Sequence, residues 1–381
     1  MSQPRPKTFM KTRWLDIARG LQSQPTAPLM EAHPTRHIER FVKRRKGLTL
    51  TKDASGNLLV RFQPKSLEAA PPLVMVAHLD HPGWFIKAAK DKDVELEFRG
   101  GVLAEHVRPG RKITFFTEGS SAPTGSGRIV EVGESSSRLT AGRARVTDGV
   151  AKPEGFAMWD LPEFSIRSGS IVSRVCDDLL GAAAALSVLD EIRALRGVAV
   201  PVWALFTRAE EIGFVGTLAA INEGYLPKES SILSLECSKV LPAAPQGDGV
   251  IVRVGDASSI FDPPLTQSLR EAATELRAKD ATFKFQRKLM DGGSCEATAF
   301  CAMGYRASGL ALPLANYHNM GVDRQGAPTI GPESVKASDF MSEVRLLIEL
   351  CTSADIRQTA AGAGALWRKA AKEASSRLAK N

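Results

Sequence analysis

The chain has 381 residues, 43% hydrophobic and 24% charged, with a formal net charge of +8. That length supports two domains, or one large domain carrying an insertion, and the average composition excludes a disordered or fibrous protein. No apolar run approaches the roughly 18 residues a membrane helix needs, and none follows the basic residues of MSQPRPKTFMKTRW, so neither a membrane span nor a secretory signal is expected.

The positive charge is concentrated. Residues 36–46 hold six Lys/Arg against Glu39, and residues 368–380 hold five against Glu373, which accounts for the whole excess. Ile38, Phe41 and Val42 lie at helical spacing inside the first block. Its basic side chains therefore read as the solvated face of an amphipathic helix rather than as a nucleic-acid surface. The second block, LWRKAAKEASSRLAKN, reads as a terminal helix. The five cysteines (Cys176, Cys237, Cys295, Cys301, Cys351) are odd in number and include no C-x-x-C pair. That is the pattern of reduced thiols in a cytoplasmic protein.

In chain order, residues 10–90 predict a helix, the basic helix, a turn at Asp53–Asn57, a strand over Leu58–Phe62, and the strongly apolar strand PPLVMVAHLD. From about 92 to 170 the helical period disappears. VELEF, KITFF, RIVEV and FSIRS are separated by Gly, Pro, Ser and Asp, the texture of a small β-barrel or sandwich. After Val175 the alternation returns: LLGAAAALSVLDEIRAL as helix, VAVPVWALFT as buried strand, GTLAAINEGYL as helix, SSILSLECS as strand. Continuous apolar strands alternating with helices imply a mostly parallel sheet covered on both faces. The expected fold is an α/β domain formed by residues 1–91 and 170–381, split by a β-rich insertion at 92–169.

Candidate chemistry collects at the strand ends. His78 and Asp80 sit at i and i+2, where a carboxylate can steady a metal-binding imidazole. His81, one position on, should point the other way. Asp177 and Asp178 precede a helix, where a pair of carboxylates could cap it or bridge two cations. Glu210 and Glu211 follow a buried strand and are followed by Gly213 and Gly216. One of the two could hold a metal while the other takes a proton from water. Glu236 ends another apolar strand, and Cys237 beside it reads as a small buried hydrophobe. His318 lies in a loop after GLALP, and Gly292-Gly293-Ser294 reads as a glycine turn more than as cleft lining.

Each of these residues has a bland explanation alone, whether a cap, a charged loop or a structural histidine. Together they deliver, in the order His, Asp, Glu-Glu, Glu, His, more donors than a closed tetrahedral site needs. That number suits two ions sharing a bridging carboxylate. Mixed imidazole and carboxylate donors accept zinc first, and cobalt or manganese as well. Neither a nucleotide-binding glycine loop nor a G-x-S-x-G elbow is present.

These segments resemble, in order and spacing, the glutamyl/deblocking aminopeptidases of metallopeptidase family forty-two. The resemblance rests on AHLDHPGWFI, SRVCDDLLGAAAAL, FTRAEEIGFVGT, GVIVRVGD, DGGSCEATAF and the final histidine, over about residues 50–350. It implies a dinuclear aminopeptidase acting on short peptides with a free N-terminus. It also implies a homo-oligomer built from dimers, up to a dodecamer, with the insertion as the dimerisation domain. Carried over by motif, His78 and Glu236 would bind one metal, Glu211 and His318 the other, and Asp177 would bridge them. Glu210 would be the general base and Asp80 the orienter of His78. The chain departs from the family at Glu236, where Asp is usual, and at His81, where Glu is usual. It departs again in Gly293-Ser-Cys-Glu-Ala and in Asn-Tyr before His318. A carboxypeptidase or N-deacylase on the same scaffold is the nearest alternative, and a non-catalytic, nucleic-acid-binding relative the next.

Overall fold

A computed structural model of the protein describes residues 7–352; the basic block at 368–380 lies outside the described residues. The chain opens with α1 (Lys7–Gln22) and α2 (Ala32–Lys43), then β1 (Leu48–Lys52), β2 (Leu58–Phe62) and β3 (Leu73–His78). Six strands follow: β4 (Gly83–Lys90), β5 (Asp93–Arg99), β6 (Lys112–Thr117), β7 (Ser120–Ser135), β8 (Arg138–Gly149) and β9 (Phe156–Trp159). Short strands β10 (Ser165–Arg167) and β11 (Ser170–Ser173) lead to α3 (Leu179–Ile192), β12 (Val202–Thr207) and α4 (Val215–Asn222). Next come β13 (Ser231–Ser234), β14 (Cys237–Lys239), β15 (Val250–Asp256), α5 (Pro263–Lys279), β16 (Phe285–Met290) and α6 (Glu296–Ala302). The described chain finishes with β17 (Arg306–Leu314), β18 (Met320–Val322), β19 (Pro328–Ile330), β20 (Glu333–Lys336) and α7 (Ala337–Thr352).

The main sheet has the order β1-β2-β12-β3-β13-β17-β15-β16, with β14 alongside β17. Its centre, β12-β3-β13-β17, is parallel, while β1, β2 and the β15–β17 pairing are antiparallel. The sequence reading missed β1, whose polar LTLTK suits an edge that needs only one buried face. Period-two alternation divides β3 between two cores. Leu73, Met75 and Ala77 join the cluster containing α1, α2, α3, α5 and α7, whereas Val74 and Val76 join the one under α4 and α6. Burying both faces is why this strand reads as unbroken apolar sequence.

β4, β5, β8, β7, β6 and β9 close into an antiparallel barrel, so the inserted β unit is a barrel and not a sandwich. Its core is aromatic: Trp84 meets Phe98 at 4.8 Å and Trp159 at 5.5 Å, both edge to face. The barrel strands run from Gly83 to Trp159, and the FSIRS run (β10) pairs instead with β11, which pairs with β20. The basic helix packs as its spacing predicts. Ile38, Phe41 and Val42 of α2 are buried, with Arg40, Lys43 and Arg44 exposed.

Candidate metal centre

Because the central strands are parallel, their carboxyl ends lie along one edge of the sheet, where α/β folds build their sites. His78 ends β3, Glu210 and Glu211 follow β12, Glu236 follows β13, and His318 follows β17. Asp177 joins them from the turn between β11 and α3. Three donor groups result: His78, Asp177 and Glu236; Asp177, Glu211 and His318; His78, Glu210 and Glu211, the donor atoms of each lying within 4.8 Å of one another.

Asp177 is shared by the first two groups, one oxygen toward each histidine. Its Oδ1 lies 3.4 Å from His78 Nε2 and its Oδ2 3.6 Å from His318 Nε2. His318 Nε2 is also 3.2 Å from Glu211 Oε2, and His78 Nε2 is 3.9 Å from Glu236 Oε1. Glu210 Oε2 stands 3.8 Å from His78 Nε2. Asp178 faces away: its Oδ1 accepts the Gly181 N–H at 3.1 Å and caps α3. A Cβ at Gly181 would collide with that carboxylate, so the glycine is what lets the cap form.

The other imidazole nitrogens are anchored. His318 Nδ1 donates to the Gly101 carbonyl at 2.8 Å, a contact from the segment following β5. His78 Nδ1 meets the Asp80 carbonyl at 3.1 Å and the Asp80 carboxylate at 3.5 Å. That carboxylate chiefly accepts backbone N–H groups, from Glu210 at 2.9 Å and Glu211 at 3.1 Å. The turns carrying these donors are strained. Ala209 and Phe214 flank the glutamates with φ of 53° and 56°, and Asn316, His318 and Asn319 have φ of 56°, 54° and 63°. Left-handed non-glycine residues cluster where a site over-determines its backbone.

His81 contradicts its expected direction. It is fully buried, with Nδ1 2.7 Å from the Asp177 carbonyl and Nε2 3.1 Å from Asn319 Oδ1. β3 stops at His78, so strand alternation no longer governs where residue 81 points.

The electrostatics fit a divalent cation. Burial raises Glu236 to about 8, with repulsion from Asp177 adding to it. Burial also pushes Glu210 up, reinforced by Glu236 and Glu211. Burial alone would lower His78, yet Glu210, Asp177, Asp80 and Glu236 hold it well above the usual histidine range. Asp177 Oδ1 and Glu211 Oε1 are buried without a hydrogen-bond partner. A crowd of desolvated carboxylates is costly unless a positive charge joins it, and mixed His/Asp/Glu donors are what hard and borderline cations take.

A cleft opens onto this cluster, walled by Glu236, Lys239, Arg253, Met290 and Tyr317. Gly292, Gly293 and Ser294 line it too, although the sequence favoured a simple turn. Tyr317 stacks on His318 with ring centroids 3.7 Å apart. Arg253, which the sequence reading passed over, is 2% exposed. The available signal was an arginine inside the apolar strand GVIVRVGD, since a charge in a buried strand needs a reason.

A family model for the M42 glutamyl aminopeptidases matches residues 151–323, the stretch supplying Asp177, Glu210, Glu211, Glu236 and His318. Over those residues the chain is similar to this family. The match makes it a peptidase, of a family that implies a divalent metal, which the donor groups suit. No curated protein sequence matches. Among solved structures, an aminopeptidase from the archaeon Desulfurococcus kamchatkensis is similar over 92% of this chain and 98% of its own, at 18% identity and a TM-score of 0.74. The TET aminopeptidase of a marine-sediment Thaumarchaeota archaeon shares 16% identity, covering 91% and 99% of the two chains at a TM-score of 0.74. The TET1 peptidase of Pyrococcus horikoshii, which can assemble into a tetrahedron or a large octahedral shell, shares 20% identity over 89% and 99%, with a TM-score of 0.69. At such identities these likenesses establish the fold.

Proposed function

We propose that the protein is a dinuclear metallo-aminopeptidase that removes N-terminal residues from short peptides. The observation carrying this reading is Asp177, whose two oxygens face His78 and His318 and so divide the donors into two sets around one carboxylate. His78 and Glu236 would hold one ion, His318 and Glu211 the other; zinc, cobalt and manganese all suit these donors. Such ions, when bound, supply Lewis acidity to a water and to the scissile carbonyl. Glu210 is the proton carrier. It borders the cleft with its carboxylate beside His78, from where an Oε can take the attacking water's proton and pass it to the leaving amine. Asp80 positions the pair, holding the Glu210–Glu211 backbone and standing behind His78.

The substrate end follows from the cleft. Arg253 Nε and Nη1 have no hydrogen-bond partner, and its Nη2 is 4.0 Å from an Asp256 oxygen that already accepts from Cys295 N and Thr298 Oγ1. A buried guanidinium with free donors favours a substrate carboxylate, hence peptides with an acidic N-terminal residue. The Pyrococcus peptidase's assemblies support a homo-oligomer, with the inserted unit at 92–169 as its dimerising part. Five unpaired cysteines support a cytoplasmic setting, and no helix among the described residues is long and apolar enough to cross a membrane.

The test is a panel of aminoacyl and N-acetylated chromogenic peptides with metal-reconstituted protein, run beside Glu210→Gln. We expect turnover of free N-termini only, and a loss of about 10²–10⁴-fold in the variant with both metals retained. Cleavage confined to blocked substrates would transfer the reading to a deacylase or carboxypeptidase.

A further inference from the structure

Asp177 is common to the set holding His78 and Glu236 and the set holding Glu211 and His318, yet neither a strand nor a helix holds it: β11 ends at Ser173 and α3 begins at Leu179. A backbone stretch without a ladder must satisfy its polar groups some other way. Here a single carboxylate oxygen does so. Glu333 Oε2 accepts the N–H of Cys176 at 2.6 Å and of Asp177 at 3.1 Å. From the other side His81 Nδ1 donates to the Asp177 carbonyl at 2.7 Å. Asn319 Oδ1 sits 3.1 Å from His81 Nε2, and Asn319 Nδ2 donates to the Arg174 carbonyl at 3.1 Å. The peptide carrying Asp177 is thus gripped on both faces by side chains 96 to 157 positions away in sequence.

Glu333 is fully buried, and no ion pair involving it occurs among the described residues. Its Oε1 has no hydrogen-bond partner. A carboxylate in that setting is expensive, and a neutral residue would fill the space at lower cost. β20 begins at Glu333 and pairs it directly opposite Ser173 of β11, which aims the side chain at the turn that follows. Outer-shell groups of this kind orient a ligand before a metal arrives.

We propose that Glu333 is a positioning residue for the metal centre: by fixing the Cys176–Asp177 backbone, with His81 and Asn319 as the opposing strut, it presets the shared carboxylate and so sets metal affinity. The inference rests on the metal-binding part of the function proposed above, and not on the peptide bond as substrate.

The experiment uses the full chain, stripped by chelator and titrated with Co(II) alone, read by calorimetry and by the visible Co(II) spectrum. Glu333→Ala, which removes the acceptor, is expected to weaken Co(II) binding about tenfold or more and to shift the Co(II) bands. At saturating Co(II), kcat should fall with KM little changed. Glu333→Gln keeps one carbonyl oxygen able to accept both N–H groups, so it should bind Co(II) within about threefold of wild type. Wild-type affinity and spectrum in a folded Glu333→Ala protein would overturn the proposal. If that variant does not fold, Asn319→Ala decides: undiminished Co(II) binding there overturns it, and weakened binding supports it. A wild-type protein that binds Co(II) but cleaves no peptide would defeat the aminopeptidase reading and leave this one standing.

Discussion

Asp80 Oδ1 accepts the Glu210 backbone N–H at 2.9 Å while lying 3.5 Å from His78 Nδ1. One carboxylate thereby ties a metal-ligand candidate on β3 to the proton-carrying candidate after β12, two strands that pair in parallel. Sequence spacing predicted the His78 contact. The larger part of the bonding goes to the Glu210–Glu211 turn, 130 residues away.

Replacing Asp80 should therefore injure two things at once. Asp80→Ala frees two half-buried N–H groups and the imidazole, and we expect metal affinity to fall about 10–100-fold with kcat falling further still. Asp80→Asn can accept only one of the N–H groups through its oxygen and should be intermediate. Calorimetric metal titration beside steady-state kinetics checks this, and an alanine variant with unchanged metal affinity would refute it.

Arg253 predicts selectivity. Arg253→Met keeps the bulk and removes the charge, so kcat/KM for acidic N-terminal residues should drop about 10²-fold while neutral residues change by less than about threefold. An equal loss on both substrate classes would mean that the guanidinium supports the cleft wall and reads nothing.

The helical pair α1–α2 predicts an acid sensitivity unconnected with catalysis. His37 packs against Gly20, where a Cβ would meet its ring at 2.9 Å. Burial, with Arg40, Arg45 and Arg44 adding to it, lowers the His37 pKa to about 4. The unfolded chain binds this proton below pH about 6.5, the folded one only below about 4, so stability is lost as pH falls through that window. The loss should be about 1–2 kcal/mol after allowing for partial exposure. Urea unfolding at pH 7 and pH 5 should show a smaller drop for His37→Gln than for wild type; identical drops would exclude His37 as the source.

Much of the fold was legible because its signals are local. The unbroken apolar run of β3 and the spacing of Ile38, Phe41 and Val42 each follow from a period the chain repeats within a few residues. The candidate donors were legible for a related reason: His78, Glu210, Glu211 and Glu236 stand where strands end, and strand ends can be read one at a time. Glu333 carried no such signal, being a single glutamate in GPES whose task depends on a turn 156 residues away.

What the sequence by itself determined was the inventory: which donors exist, in what order, and on a sheet whose parallel centre gathers them along one edge. Only the tertiary structure decided their directions. Asp177 rather than Asp178 faces the cluster because the latter is spent on capping α3. His81 turns toward Asp177 because it stands three residues past the end of β3. Arg253 lines the cleft from inside β15, opposite Gly309 of β17. The physical reason is common to all three. Composition and period act along the chain, whereas the aim of a side chain in a turn is set by long-range hydrogen bonds and by backbone conformations, such as those of Ala209, Asn316 and His318, that no local preference specifies.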